Sequence, residues 1–128
     1  MLDYVDVGPR PLKHYEPIVG KEALEEIREL AAPLRGARIA QINATTYGGG
    51  VSELLRSLVP LYRGLSIKCD WKIISARPDF FAVTKAFHNA LQGAPYELTA
   101  ADRETYLMCS TRNAQLLEEE YDFIIVHD

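Results

Sequence analysis

The chain has few of the residues that mark a secreted, membrane-bound or nucleic-acid-binding protein. Its two cysteines, Cys69 and Cys109, lie far apart in 128 residues, so the sequence predicts two reduced, buried thiols and no disulfide framework. No apolar run approaches the ~20 residues that cross a bilayer, and the N-terminus lacks a signal-peptide pattern. Lys and Arg are scattered and the formal net charge is −4, which gives no basic stripe for nucleic acid. These absences predict a cytoplasmic protein without nucleic-acid or membrane partners.

Signatures of several enzyme classes are missing as well. The sequence has no Walker loop, no G-x-G-x-x-G fingerprint and no G-x-S-x-G elbow. No His, Cys and carboxylate cluster has the spacing of a metal site. We therefore expect neither metal ligands nor a cofactor.

What is present is a globular mixture, with 48% hydrophobic and 25% charged residues. Three prolines interrupt residues 1–20, which predicts an extended N-terminal arm. Apolar residues at helical spacing then predict a helix over residues 21–34. The remaining residues, 21–128, carry enough apolar side chains for one core.

A strand–turn–helix–strand pattern follows and makes one βαβ unit. The strands are predicted at residues 38–43 and 68–75, and the helix between them starts near Val51. Pro60 is expected to kink or end this helix. The βαβ connection predicts that the two strands are parallel.

The second half of the chain predicts two more helices and one more strand. The helices cover residues 79–91 and a stretch from a capping box at Thr99 to about Glu120. The strand covers residues 122–127, and its continuous apolar run predicts burial on both faces. The fold class is therefore α/β, a Rossmann-like three-layer sandwich with a mostly parallel sheet. Three strands are fewer than a typical complete sheet, so we expect a fragment of a larger protein.

A glycine-rich turn between the first strand and its helix is the first candidate site. Gly48, Gly49 and Gly50 allow a ligand to approach the backbone closely and allow positive φ. The start of the helix presents unpaired N–H groups and a partial positive charge, which suit a phosphate. A turn without a ligand is the alternative, and the pattern alone does not decide between the two.

Two polar clusters complete the candidates. His88, Asn89 and Gln92 lie near a helix end, where the spacing of four puts His88 and Gln92 on one face. They can bind a polyol or simply cap helix carbonyls. His127 and Asp128 end the last strand, where ligands of open parallel sheets gather, although many histidines at strand ends are structural.

Four blocks of the sequence resemble, in the same order, the trehalose glycosyltransferring synthases, which are retaining GT-B glycosyltransferases of the family 4 type. The blocks are residues 42–55, 58–61, 83–93 and 125–128. The resemblance covers about residues 38–128, and the Phe-His-Asn-Ala-Leu-Gln-Gly stretch is its most specific part. A triple glycine alone fits many retaining glycosyltransferases.

The resemblance implies the N-terminal part of a two-domain enzyme that transfers glucose from a nucleoside diphosphate glucose to glucose. The product is trehalose, formed with retention, or the reaction runs in reverse. The resemblance implies that this first domain holds the acceptor. The second, nucleotide-binding domain is absent from the chain, so the 128 residues alone are expected to be inactive. No essential metal is implied.

The resemblance also implies roles for the candidate residues. Gly48, Gly49 and Gly50 would face the donor phosphate and sugar. His127 and Asp128 would be catalytic, with His127 touching the donor sugar. The acceptor would be bound by His88, Asn89 and Gln92.

Other functions stay open at this point. One is a non-catalytic α/β domain for binding or assembly. Another is a specificity like that of sucrose-phosphate synthase or trehalose phosphorylase. The nucleotide, the direction of the reaction and the oligomeric state, a homodimer included, are also open.

Overall fold

The computed structural model describes residues 1–127, which contain a four-stranded mixed sheet and four α-helices. The strands are β1 (Asp3–Tyr4), β2 (Arg38–Asn43), β3 (Lys68–Ile73) and β4 (Phe123–Val126). The helices are α1 (Glu16–Ala31), α2 (Gly50–Gly64), α3 (Pro78–Leu91) and α4 (Ala100–Leu116). No helix in this described part is both long and apolar enough to cross a bilayer.

The chain divides into two compact units. The sheet unit consists of residues 3–73 and the residues from 119 onward, and it holds all four strands with α1 and α2. The helical unit consists of residues 1–2 and 74–118 and holds α3 and α4.

The sheet has the strand order β1-β3-β2-β4. The central strand β2 pairs in parallel with β3 on one side and with β4 on the other. The three predicted parallel strands are therefore confirmed, and β3 ends two residues before its predicted end. The short β1 adds an antiparallel edge beside β3.

The βαβ unit is held by the apolar face of α2. Leu55 and Val59 on this helix are fully buried and belong to one core cluster with Trp71 and Cys69 of β3. Burying a large apolar side chain completely stabilises a fold by about 1.5–3 kcal/mol. This packing fixes α2 against the sheet and so fixes where the helix begins.

Pro60 does not end α2, which continues to Gly64. A proline inside a helix removes one backbone hydrogen bond. Pro60 is itself buried, and its carbonyl accepts the Arg10 N–H at 3.0 Å. Of the two expected outcomes, termination was wrong because the packing of Pro60 outweighs the loss of that bond, and a kink stays a prediction.

Residues 1–20 are only partly extended, contrary to the predicted arm. A 3-10 helix at Leu12–Tyr15 leads into the first turn of α1. Pro17 is tolerated there because its missing N–H would have no helical partner at that position. Gly20, with φ 82° and ψ 166°, then breaks the helical geometry. The regular part of α1 therefore starts at Lys21, as its apolar spacing predicts.

The helix α4 begins as predicted and ends early. The Thr99 hydroxyl accepts the N–H of Asp102 at 3.1 Å, which caps the helix. Its last residue is Leu116, four residues before the predicted end. The acidic run at residues 118–120 would have met the negative end of the helix dipole, which disfavours a longer helix.

The strand β4 is exposed, although its apolar run predicted burial on both faces. Phe123, Ile124, Ile125 and Val126 are 50%, 50%, 38% and 70% exposed. Within residues 1–127, β4 is an edge strand that pairs with β2 alone. The prediction was wrong for this chain because nothing in these residues covers the strand.

Both cysteines are free, as expected, but only Cys69 is buried. Cys109 is partly exposed, contrary to the prediction of two buried thiols. Burial raises the pKa of the Cys69 thiol to about 12. A thiol with this pKa carries almost no thiolate at neutral pH, which excludes Cys69 as a nucleophile.

Candidate functional site

The carboxyl ends of β2 and β4 form one edge of the sheet, here called the carboxyl edge. The glycine turn follows β2 directly after Asn43, and His127 follows β4. The His127 N–H donates to the carbonyl of Ile42 at 2.8 Å and so continues the ladder between the two strands. The turn and His127 thus meet at one edge, as the parallel arrangement predicts. Asp128 lies outside the described residues.

The glycine turn depends on backbone conformations that other residues rarely adopt. Gly48 has φ 74°, and Gly49 has φ 91° with ψ 157°. The second pair of angles lies in a region that is essentially restricted to glycine. Apart from the adjoining backbone, a Cβ placed on Gly48, Gly49 or Gly50 would meet no atom of residues 1–127 within 4 Å. The turn therefore combines a required glycine backbone with open space around it.

The helix α2 begins at this turn without a side-chain cap. Gly49 is the N-cap, and within residues 1–127 the helix has no side-chain cap hydrogen bond. The first N–H groups of any helix lack helical partners, and they carry a partial positive charge. The side chain of Ser52 donates instead to the carbonyl oxygens of Gly48 and Gly49, at 3.0 and 3.1 Å. The free amides make this helix start suitable for an anion.

Arg56, on the second turn of α2, ties the helix to the turn. Its Nη2 donates to the carbonyl of Thr46 at 2.7 Å. The guanidinium carbon lies 4.6 Å from the ring centroid of Tyr47 and 5.6 Å from that of Trp71. Arg56 thus adds a full positive charge beside the turn. The sequence patterns did not identify Arg56 as a candidate site residue. An arginine within the first two helical turns after a glycine-rich loop is the sequence signal that could have identified Arg56.

Asn43 joins the turn to the core. Its side-chain Oδ1 accepts the indole N–H of Trp71 at 2.7 Å, and its Nδ2 donates to the carbonyl of Thr45 at 2.8 Å. Asn43 is 4% exposed and Trp71 is fully buried. An unpaired indole N–H at this depth would cost about 1–3 kcal/mol, so this bond anchors Asn43, and with it the start of the turn, to the core. Asn43 was also missed as a structural support of the site.

The side chain of His127 contacts a buried amide. Its Nε2 lies 2.7 Å from Oε1 of Gln41, which is 1% exposed. Gln41 was missed as well. Side chains alternate between the two faces of a strand, so residues 41 and 43 lie on one face. This alternation is the sequence signal that could have identified Gln41.

The predicted acceptor residues lie at the end of α3 in the helical unit. Gln92 Nε2 and His88 Nε2 are 3.0 Å apart, so the spacing of four does bring them together. The carbonyl of Asn89 accepts the N–H groups of Gln92 and Ala94, at 3.1 and 3.0 Å. All three predicted residues are exposed. Their role in acceptor binding stays a prediction.

Within residues 1–127, no three His, Cys, Asp or Glu side chains form a group that could hold a metal. The arrangement that remains at the carboxyl edge is an uncapped helix start, an arginine and a histidine. Chemically, it can bind an anion beside a hydroxyl-rich group.

Comparison with known proteins gives a consistent result. The sequence family described as trehalose synthase, N-terminal domain, matches residues 41–128. Trehalose synthase of Rubrobacter xylanophilus is 49% identical over 131 residues, which cover 100% of this chain and 32% of the relative. Trehalose synthase of Pyrococcus horikoshii is 42% identical over 123 residues, which cover 94% of this chain and 30% of the relative. The chain therefore spans about a third of the length of the curated relatives that it matches.

A more distant similarity involves a second type of enzyme. Trehalose phosphorylase of Pleurotus pulmonarius is 31% identical over 84 residues, which cover 64% of this chain and 11% of the relative.

Proposed function

Because the chain belongs to the family of trehalose synthase N-terminal domains, we propose that the full-length protein is a retaining glucosyltransferase. It transfers glucose from a nucleoside diphosphate glucose to glucose and forms trehalose, or runs the reverse reaction. The observation that carries the proposal is the start of α2, which has no side-chain cap and follows a turn whose backbone angles require glycine. The chain that contains it is 40–49% identical to trehalose synthases.

The proposed chemistry requires the stabilisation of a leaving diphosphate. Breaking the glycosyl–phosphate bond develops negative charge on the phosphate and positive charge on the sugar. The N–H groups at the start of α2 and the charge of Arg56 would stabilise the phosphate in the transition state. The leaving phosphate oxygen would take the proton from the acceptor hydroxyl on the same face of the sugar. Such a step depends on positioning more than on acid–base residues.

The side chains at the carboxyl edge and on α3 would position the two sugars. His127, with Asp128 beside it in sequence, would hydrogen-bond the donor sugar. His88, Asn89 and Gln92 would bind the acceptor glucose. No metal takes part in this proposal, since the helix start and Arg56 supply the positive charge.

We also propose that residues 21–128 are an incomplete acceptor-side domain of a GT-B fold, completed as a three-layer sandwich in the full-length protein. Two facts support this. The chain spans about a third of the length of its relatives, and the apolar side chains of β4 are exposed. A second, nucleotide-binding domain then supplies the rest of the donor site. The proposed location is the cytoplasm, and a homodimer is compatible with the proposal.

The similarity to trehalose phosphorylase favours one alternative reaction, in which inorganic phosphate replaces the nucleotide. The same helix start would bind that phosphate. A non-catalytic binding domain is the alternative from another class.

The test is product analysis with the full-length protein. We expect trehalose from ¹³C-labelled glucose and at least one of a panel of nucleoside diphosphate glucoses, with the α configuration of the donor retained. The 128-residue chain alone serves as the control and should show no turnover. Trehalose breakdown that requires inorganic phosphate would select the phosphorylase alternative. Activity in none of these assays would leave the non-catalytic binding domain.

A further inference from the structure

We infer that Gln41 is a positioning residue for His127, whose ring it holds as the tautomer with the proton on Nε2. The other nitrogen, Nδ1, is then the ring's hydrogen-bond acceptor. The inference rests on the proposed function for the role of His127. The pairing of the two side chains does not depend on that function.

Strand register brings the two side chains together. Gln41 of β2 is the partner of Ile125 of β4 in the parallel ladder. Side chains alternate between the faces of a strand, so residues 41 and 43 share a face with residues 125 and 127. The resulting distance between Gln41 Oε1 and His127 Nε2 is 2.7 Å.

The chemistry of the amide determines the tautomer. An amide oxygen accepts hydrogen bonds and cannot donate them, so the proton of this bond belongs to Nε2 of His127. In a neutral imidazole, Nδ1 then carries the lone pair. The ring is thus prepared to accept a hydrogen bond from a hydroxyl group.

Because Gln41 is buried, its side-chain amide depends on His127 for a hydrogen bond. Gln41 is 1% exposed, and its Nε2 has no hydrogen-bond partner among the described residues. The bond to His127 is the one recorded for its side chain within residues 1–127. A buried amide that lost this bond as well would be unpaired at both ends, which is unfavourable. Among the residues that the structure describes, no other group therefore competes with the histidine for this amide.

Two attachments fix the histidine at the carboxyl edge. The backbone N–H of His127 donates to Ile42 at 2.8 Å, and the ring is held by Gln41. Gln41 therefore orients the ring of His127, which suits a side chain that accepts a hydrogen bond from a sugar hydroxyl.

The test uses two variants of Gln41 and one matched control in the full-length protein. Gln41→Met keeps a similar volume and removes the acceptor. Gln41→Glu keeps the length and an acceptor oxygen and adds a charge. Gln115→Met makes the first change at an exposed position of α4. The readouts are ¹⁵N NMR of labelled histidine, assigned with a His127→Ala variant, and the pH dependence of kcat and KM.

We expect the wild type to show a proton on Nε2 of His127 and Gln41→Met to show a mixture of tautomers with kcat about tenfold lower. In Gln41→Glu, the carboxylate should raise the pKa of His127 and shift the acidic limb of the pH–rate profile upward by about one unit. Gln115→Met should match the wild type in every readout.

Some results would overturn the inference. These are a wild-type proton on Nδ1, or a Gln41→Glu variant with unchanged His127 titration and an unchanged pH profile. A third is Gln41→Met with lower thermal stability but the wild-type tautomer and kcat, which would make Gln41 merely structural. If Gln41→Met fails to fold, Gln41→Glu and the wild-type spectrum still decide. If the wild type transfers no glucose, the proposed function is wrong. The NMR signals decide separately whether Gln41 pairs with His127 as inferred.

Discussion

Gly49→Val in the full-length protein is expected to lower kcat/KM by on the order of 100-fold, the size of effect seen when a transition-state oxyanion loses a donor. Valine is disfavoured at φ 91° and ψ 157°, and the strain of about 1–3 kcal/mol would distort the turn. Beyond the adjoining backbone, a Cβ at this position meets no atom within 4 Å in the part of the chain that the structure describes. The new side chain would therefore occupy the open space proposed for the phosphate and would shift the amides that stabilise it.

The matched control is Gly36→Val, at the opposite end of β2. Gly36 has φ 82°, and a Cβ there also meets no described atom within 4 Å beyond the adjoining backbone. Both variants should lower the melting temperature by similar amounts because both force a β-branched residue into positive φ. Kinetics with thermal melts separate the two effects, since Gly36→Val should keep its activity within a few-fold of wild type. Equal losses in both variants, or full activity in Gly49→Val, would remove the turn from the donor site.

Glu119→Gln is expected to destabilise the protein by roughly 3 kcal/mol, the lower end of the cost of breaking a buried ion pair. Lys72 Nζ lies 2.6 Å from Glu119 Oε1, and the two side chains are 3% and 23% exposed. Removing the carboxylate charge leaves the ammonium buried without its counter-ion. The partial exposure of Glu119 limits this loss of stability. Urea denaturation of the wild type and the variant measures this difference.

The neighbouring Glu118 provides the control for this measurement. Its carboxylate lies 3.7 Å from the N-terminal ammonium, and both groups are more than half exposed. Exposed pairs contribute about 0–1 kcal/mol, so Glu118→Gln should change the free energy of unfolding little. Similar losses of unfolding free energy in the two variants would show that the burial of Lys72 does not determine the destabilisation by Glu119→Gln.

The pH dependence of stability follows from the same pair. The hydrogen bond from Lys72 lowers the pKa of Glu119 below its ordinary value of 4.5. The stabilisation is therefore fully present above pH 4.5 and is lost as the pH falls through the lower pKa of the folded state. In Glu119→Gln this part of the acid sensitivity should disappear, so the two stability curves should converge at low pH. Curves that stay parallel would contradict the assignment.

The parallel sheet could be predicted from the sequence because its signals are local. Apolar spacing marked α2 and α3, and the βαβ connection implied parallel strands. The continuation of α2 through Pro60 and the exposure of β4 could not be predicted in this way. The first depended on packing around the proline, and the second depended on whether other polypeptide covers an apolar strand.

The candidate site was predicted only in outline. The rule that ligands gather at the carboxyl ends of parallel strands put the glycine turn and His127 at one edge. The side chains that support them were missed because their partners are distant in sequence. Gln41 and His127 are 86 residues apart, and Asn43 and Trp71 are 28 apart. Only strand register, which a single sequence does not show, brings such pairs together.

The donor phosphate is proposed to bind at the start of α2. Hydrogen–deuterium exchange of the full-length protein, with and without a nucleoside diphosphate glucose, tests this binding. We expect slower amide exchange in peptides that cover residues 47–54 and no change in peptides that cover residues 34–38 at the opposite end of β2. Unchanged exchange at residues 47–54, with protection elsewhere showing that the nucleotide sugar is bound, would contradict phosphate binding at this helix start.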